Sequence, residues 1–232
     1  AEHLISIAPP AADGSSFGKA FFCSSGSEAN DTAMKMVWYY QAARGKPEKR
    51  KIISRRRGYH GVTMAAASMT ALAYAQNGFG LPLDFVKHTT TPDYYNEGRD
   101  GESEAEFTAR CAAELEALII EEGPETVGAL FAEPVMGAGG VIIPPAGYFA
   151  AIREVLERHD VLLVADEVIC GFGRTGEMWG SQTMDVRPDM LTCAKALSSA
   201  YLPISAVLMS DRVYDTLAGQ AEALGIFGHG YT

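Results

Sequence analysis

A chain of 232 residues, 47% hydrophobic and 21% charged, is ordinary globular composition and can bury a sizeable core in one large α/β domain or two smaller ones. Its 29 acidic residues outweigh 19 basic ones, and the net charge of −10 repels nucleic acid and anionic membranes unless a local patch reverses the sign. No apolar stretch approaches the roughly 20 residues that span a bilayer, so neither kind of partner is expected.

The chain opens on Ala1-Glu2-His3, with no initiating Met and no signal peptide. A strand over 20–23 leads into a helix over 27–44, where Ala29, Ala33, Met36, Val37 and Tyr40 share one face. The basic triplets at 49–51 and 55–57 flank a strand over 51–54. Without interleaved aromatics they read as solvated flanks, not as a single-strand platform. A strand over 85–88 precedes a long loop over 89–103, rich in Pro, Asp, Asn and Gly. Next come a helix over 104–121, a strand over 127–131 and a helix over 147–158. Strands over 161–166, 190–193 and 206–209 follow. Short apolar strands alternating with helices predict an α/β fold with a mostly parallel sheet covered on both faces. No repeat or low-complexity tract interrupts it. The four cysteines form no CxxC pair, and reduced core thiols in a cytoplasmic protein are expected. The last residues, Gly228-His229-Gly230-Tyr231-Thr232, resemble no natural end, so a segment of a longer protein is expected.

Ligands of such sheets gather where strands end. Cys23-Ser24-Ser25-Gly26-Ser27-Glu28-Ala29-Asn30 places small residues and two hydroxyls at a helix N-terminus. That suits an anion, although a serine N-cap with Glu at the third helical position explains the same residues. Val161-Leu162-Leu163-Val164-Ala165-Asp166-Glu167 ends an apolar strand in acid, as the metal-binding strand of P-loop NTPases does. The required glycine motif is missing: Gly14-Ser15-Ser16-Phe17-Gly18-Lys19-Ala20 has the wrong spacing. Asp166 is therefore read as an acid placed to meet a cationic group on a ligand. Gly171-Phe172-Gly173-Arg174-Thr175-Gly176 matches GxGxxG but neither follows a strand directly nor opens an amphipathic helix, so a glycine-rich loop near the site is expected.

Lys195 closes the apolar run Met190-Leu191-Thr192-Cys193-Ala194. Burial there would disfavour its charged form and make it a nucleophile for an aldehyde; a lysine snorkelling at the strand edge is the plainer alternative. Tyr59-His60 can supply a stacking aromatic with a polar neighbour. No HExxH, CxxC pair or His cluster suggests a metal, and no GxSxG suggests a hydrolase.

In order and spacing, Ser25-Gly26-Ser27-Glu28-Ala29-Asn30, Tyr59-His60-Gly61, Glu133-Pro134-Val135, Asp166-Glu167-Val168 and Lys195 resemble class III aminotransferases. These are fold-type I enzymes dependent on pyridoxal 5′-phosphate (PLP), and the similarity is greatest to the ω-transaminases, or amine–pyruvate aminotransferases. It covers essentially the whole chain. The resemblance implies a seven-stranded, mostly parallel sheet in a PLP-binding large domain over 1–232, with an N-terminal segment and a C-terminal small domain outside it.

The family's roles fall on matching positions. Lys195 would carry PLP as a Schiff base and then shuttle a proton. Asp166 would pair with the pyridine nitrogen and keep it protonated, an interaction of about 4 kcal/mol at about 4 Å and an effective dielectric near 20. Ser25, Gly26 and Ser27 would hold the phosphate. Tyr59, with His60 beside it, would stack on one ring face and Val168 on the other, while Glu133 would support the site by hydrogen bonding. Thr232 resembles the threonine that reaches the neighbouring subunit's phosphate, which implies a homodimer with sites at the interface. Ala138 stands where ornithine- and GABA-type members carry a second glutamate. It would line the substrate pocket with Val62 and Tyr59, and it argues against an ornithine aminotransferase. The implied activity moves an amino group from an amine or ω-amino acid to a keto acid, with pyruvate expected, in two half-reactions. An aminomutase or racemase on the same fold, or a non-catalytic dimerising fragment, is the alternative.

Overall fold

Seven short runs of aliphatic, aromatic and β-branched residues pair into one sheet, and the computed structural model describes it within residues 1–228. In chain order the elements are α1 (Glu2–Ser6), β1 (Phe17–Cys23), α2 (Gly26–Ala43), β2 (Lys51–Arg55), α3 (Met64–Met69), α4 (Ala73–Gln76), β3 (Val86–Thr89) and α5 (Tyr94–Glu97). Then follow α6 (Glu104–Glu122), β4 (Val127–Ala132), α7 (Tyr148–Arg158), β5 (Leu162–Asp166), α8 (Gly180–Thr183) and β6 (Met190–Cys193). A 3-10 turn over Lys195–Ser198, β7 (Ser205–Ser210), α9 (Asp211–Gly219) and α10 (Ala221–Leu224) complete the order.

The strand order is β1-β7-β6-β5-β4-β2-β3. Strands β2 to β6 run parallel, and β7 lies antiparallel between β6 and β1. The expected seven-stranded, mostly parallel sheet is therefore present. Every residue of β4, β5 and β6 is buried, as strands covered on both faces require. Successive side chains alternate between two cores. Ile52, Phe131, Val164 and Met190 pack with Ala33 and Val37 of α2 and Val213 of α9 on one face. Ile53, Leu130 and Leu163 pack with Phe107 and Leu115 of α6 and Ile152 of α7 on the other. Each such fully buried Leu, Ile or Phe stabilises the fold by about 1.5–3 kcal/mol.

Two expectations need correction. The loop over 89–103 contains the short helix α5, capped where the Asp93 side chain accepts from the Asn96 amide. The basic triplets are not simply solvated: Lys49 is buried, its Nζ donating to the Pro124 and His159 carbonyls, 3.0 Å each. Arg55 is fully buried, its guanidinium 6.0 Å from the Tyr148 ring and 5.9 Å from the Phe149 ring. The four cysteines are free and buried. Among the described residues no helix is long and apolar enough to cross a membrane.

Because β1 runs parallel to β6, the carboxyl ends of β1, β2, β4, β5 and β6 share one edge of the sheet. That edge is where doubly wound sheets bind ligands.

Candidate active site

The loops leaving those strand ends enclose a cavity of about 650 Å³. Its wall brings together Ser25, Gly26, Ser27, Tyr59, His60, Glu133, Asp166, Val168 and Lys195, from five separate stretches of the chain. Val62 and Ala138 are not among its lining residues. Val62 is 69% exposed, with its amide donating to Ser27 Oγ at 3.0 Å, and Ala138 is exposed on the loop after β4. Thr232 lies outside the described residues.

Ser25 is the N-cap of α2: its extended backbone lets Oγ accept from the Glu28 amide at 3.2 Å. Ser27 Oγ is likewise an acceptor, for Val62. Each hydroxyl has thus used an acceptor site and keeps its O–H for a ligand. Gly61 sits at φ +133°, and a Cβ there would lie 2.4 Å from Ser27 Oγ. Only glycine lets these two loops meet. At Gly26 a Cβ would come within 3.1 Å of both Val168 methyl groups, so the absent side chain keeps the cavity wall open.

Asp166, 3% exposed, ends β5. Its Oδ2 accepts from His60 Nδ1 and Asn30 Nδ2, both at 2.8 Å, and its Oδ1 accepts from the Val168 amide at 3.1 Å. A carboxylate only accepts, which assigns the His60 proton to Nδ1. His60 Nε2 is buried with no hydrogen-bond partner. Thr70 Oγ1 fixes the His60 loop, accepting from the His60 amide at 2.8 Å and the Gly61 amide at 3.1 Å. Neither Thr70 nor the role of Asn30 is assigned from sequence. The available signal was Asn30 itself, a polar residue on the same helix face as Ala33 and Val37.

Glu133 is 2% exposed and clamps two loops, Oε1 accepting from the Tyr59 amide at 3.1 Å and Oε2 from the Gly137 amide at 2.9 Å. Burial pushes its carboxyl pKa up, the His60 and Arg55 side chains opposing and Asp166 reinforcing that shift. Arg55 Nη2 donates to the Glu133 carbonyl, a link invisible in a run of three arginines. Glu167 turns away from the cavity and accepts from the amides of Gly180 at 3.0 Å and Ser181 at 2.6 Å. It thereby pins the far end of the glycine-rich loop, whose Arg174 lines the cavity. That loop opens no amphipathic helix, as expected.

Lys195 is exposed at the cavity wall, so the expected burial is absent. Strand β6 ends at Cys193, and Lys195 starts the 3-10 turn at φ +44°, outside the apolar layer. In sum, an anion-ready helix start, a fixed carboxylate, an aromatic and a valine flank, and a reachable amine surround one space.

The family described as Aminotransferase class-III matches residues 1–232. "Gamma aminobutyrate transaminase 1, mitochondrial" of Solanum lycopersicum is 55% identical over 214 residues, covering 92% of this chain and 42% of its own. "Vanillin aminotransferase" of Capsicum frutescens is 50% identical over 214 residues, covering 92% and 47%. A solved structure of the omega transaminase from Pseudomonas jessenii in complex with PMP superposes with a TM-score of 0.95 at 52% identity, covering 100% of this chain and 50% of that one. The chain spans about half the length of these relatives. With the family match running from its first residue to its last, the chain belongs to the class-III aminotransferases.

Proposed function

We propose that the full-length protein is a PLP-dependent aminotransferase that moves an amino group from an amine or ω-amino acid to a keto acid, with pyruvate as acceptor. The observation that carries this reading is the meeting of the α2 N-terminus, the Asp166 carboxylate and the Lys195 amine in one cavity. The residues fit PLP. Its phosphate suits the free hydroxyl protons of Ser25 and Ser27 and the positive end of an 18-residue helix. Its flat ring suits a cavity lined by Tyr59 and Val168, and glycine at position 26 leaves the Val168 side chain uncrowded. When bound, PLP supplies an aldehyde that joins amino groups and a protonated ring that accepts electron density.

The protein's own part is positioning and proton handling. Asp166 would accept a hydrogen bond from the protonated ring nitrogen, with His60 and Asn30 holding the carboxylate still. Glu133 holds the backbone of Tyr59 in place. Lys195 Nζ would hold the cofactor and then carry the proton. Val62 and Ala138, on loops adjoining the cavity, would meet the amine's side chain. The names of the relatives refer to γ-aminobutyrate, vanillin and ω-transamination, which supports an amine or ω-amino acid donor. A homodimer with sites at the interface belongs to the same reading, supported by Leu202, which lines the cavity yet is 71% exposed. The buried free cysteines support a reducing compartment such as the cytoplasm.

The test uses the full-length protein with PLP. Lys195→Ala is expected to lose the absorbance band of lysine-bound cofactor and about 10²- to 10⁴-fold of activity. A lysine-type band that persists overturns the assignment. Keto acid must also be consumed mole for mole with amine; amine conversion without it indicates an aminomutase or racemase and overturns transamination.

A further inference from the structure

Behind the cavity wall lies a buried polar network that joins α2, β5, β6 and the loop after β2. Asn30 and Thr192 are 1% and 0% exposed, far from solvent that could satisfy them. Asn30 Nδ2 donates both of its protons, to the His60 carbonyl at 2.7 Å and to Asp166 Oδ2 at 2.8 Å. Asn30 Oδ1 accepts from Thr192 Oγ1 at 2.8 Å. We infer that Thr192 and Asn30 are positioning residues for Asp166, with Thr192 supplying the donor that holds the Asn30 amide oxygen in place.

Donor and acceptor counts decide the arrangement. An asparagine amide is nearly symmetric in shape, and only its partners decide whether oxygen or NH₂ faces a given group. Turned over, Asn30 would set its oxygen against two acceptors, the His60 carbonyl and the Asp166 carboxylate. Those two acceptors fix which way round the amide stands, and the Thr192 hydroxyl, able to donate or accept, donates to Asn30 Oδ1, which would otherwise be a buried acceptor without a donor. In a buried site an unmatched acceptor costs more than a net hydrogen bond gains. Asp166 Oδ2 is consequently committed to His60 and Asn30, and Oδ1, which holds the Val168 amide, keeps acceptor capacity for a ligand. Thr192 neighbours Asp166 directly across the sheet, in register between β6 and β5, so its hydroxyl is placed by the backbone ladder itself.

This inference rests on the PLP reading above, and its test separates the two. Thr192→Val keeps the side-chain shape and removes the donor; Thr192→Ser keeps the donor. Titrating full-length protein with PLP, Thr192→Val is expected to bind about tenfold more weakly and Thr192→Ser close to wild type. Asn30→Asp, which replaces both donors by acceptors, is expected to lose about a hundredfold. The absorbance maximum of the bound cofactor should move in Thr192→Val and return in Thr192→Ser, which a loss of stability alone would not produce. Should the valine variant fold poorly, Thr192→Ala carries the same comparison. Wild-type affinity and spectrum in a folded hydroxyl-deleted variant overturn the inference and leave the PLP reading intact. A wild-type protein that takes up no PLP overturns both.

Discussion

At Glu133 two backbone amides from separate loops converge on one carboxyl group. Glutamine in its place must turn an NH₂ toward one of those N–H groups, leaving donors facing each other in a buried site. Glu133→Gln is therefore expected to cost about 1–3 kcal/mol, read from the urea midpoint. The pH dependence has a definite sign. Burial raises the folded pKa of Glu133 above its ordinary 4.5. The associated stability is fully present below the unfolded value and is lost as pH rises through the raised folded one. Glutamine does not titrate, so the gap between wild type and variant should narrow from pH 5 toward pH 8. A gap that widens over that window would show the carboxyl to be favoured in its charged form. At this scale Asp166 and Lys195 are legible in the sequence because each closes an apolar run, whereas Glu133 is legible through the family resemblance alone. The sequence does not show the burial of Arg55, since the rings beneath its guanidinium come from α7, far along the chain.

The N-terminus of α2 has a structural task and a proposed binding task, and one residue separates them. Ser25 caps the helix, and Ser25→Ala is expected to cost about 1 kcal/mol of stability. Aspartate caps as well as serine and complements the helix dipole, yet its charge would face an incoming phosphate. Ser25→Asp should keep the wild-type urea midpoint while losing more than about tenfold in PLP affinity. Wild-type affinity in that variant would show the anion binds elsewhere. Elements of this length are legible because their apolar positions repeat, as in α2, α6 and α7, or run unbroken, as in β4 to β6. The four-residue helices α4, α5 and α10 bury no residue. They leave no periodic trace in the sequence, and α5 accordingly reads as loop.

The sheet separates α2 and α9 on one face from α6 and α7 on the other, and its strand order, with β7 inserted antiparallel between β1 and β6, follows from no local pattern. The Asp189 carboxylate links the two faces. Asp189, immediately before β6, accepts from Arg153 Nη1 of α7 at 3.0 Å, from Arg212 Nη2 of α9, and from the Leu163 amide of β5 at 2.8 Å. The Asp189 side chain is 2% exposed, whereas those of Arg153 and Arg212 are 21% and 40% exposed. Breaking a buried ion pair costs about 3–5 kcal/mol, but these arginines can recover part of their hydration. Asp189→Asn should therefore lower stability by about 2–3 kcal/mol, seen as a fall in urea midpoint at unchanged slope. Asp189 stands at the amino end of β6, the opposite edge from the cavity, and its partners include no cavity residue. PLP affinity should thus stay at the wild-type value under conditions where the variant remains folded. Affinity that falls in step with stability would mean the two edges of the sheet are not energetically separate, and that the cavity geometry depends on how the helices of both faces are held together.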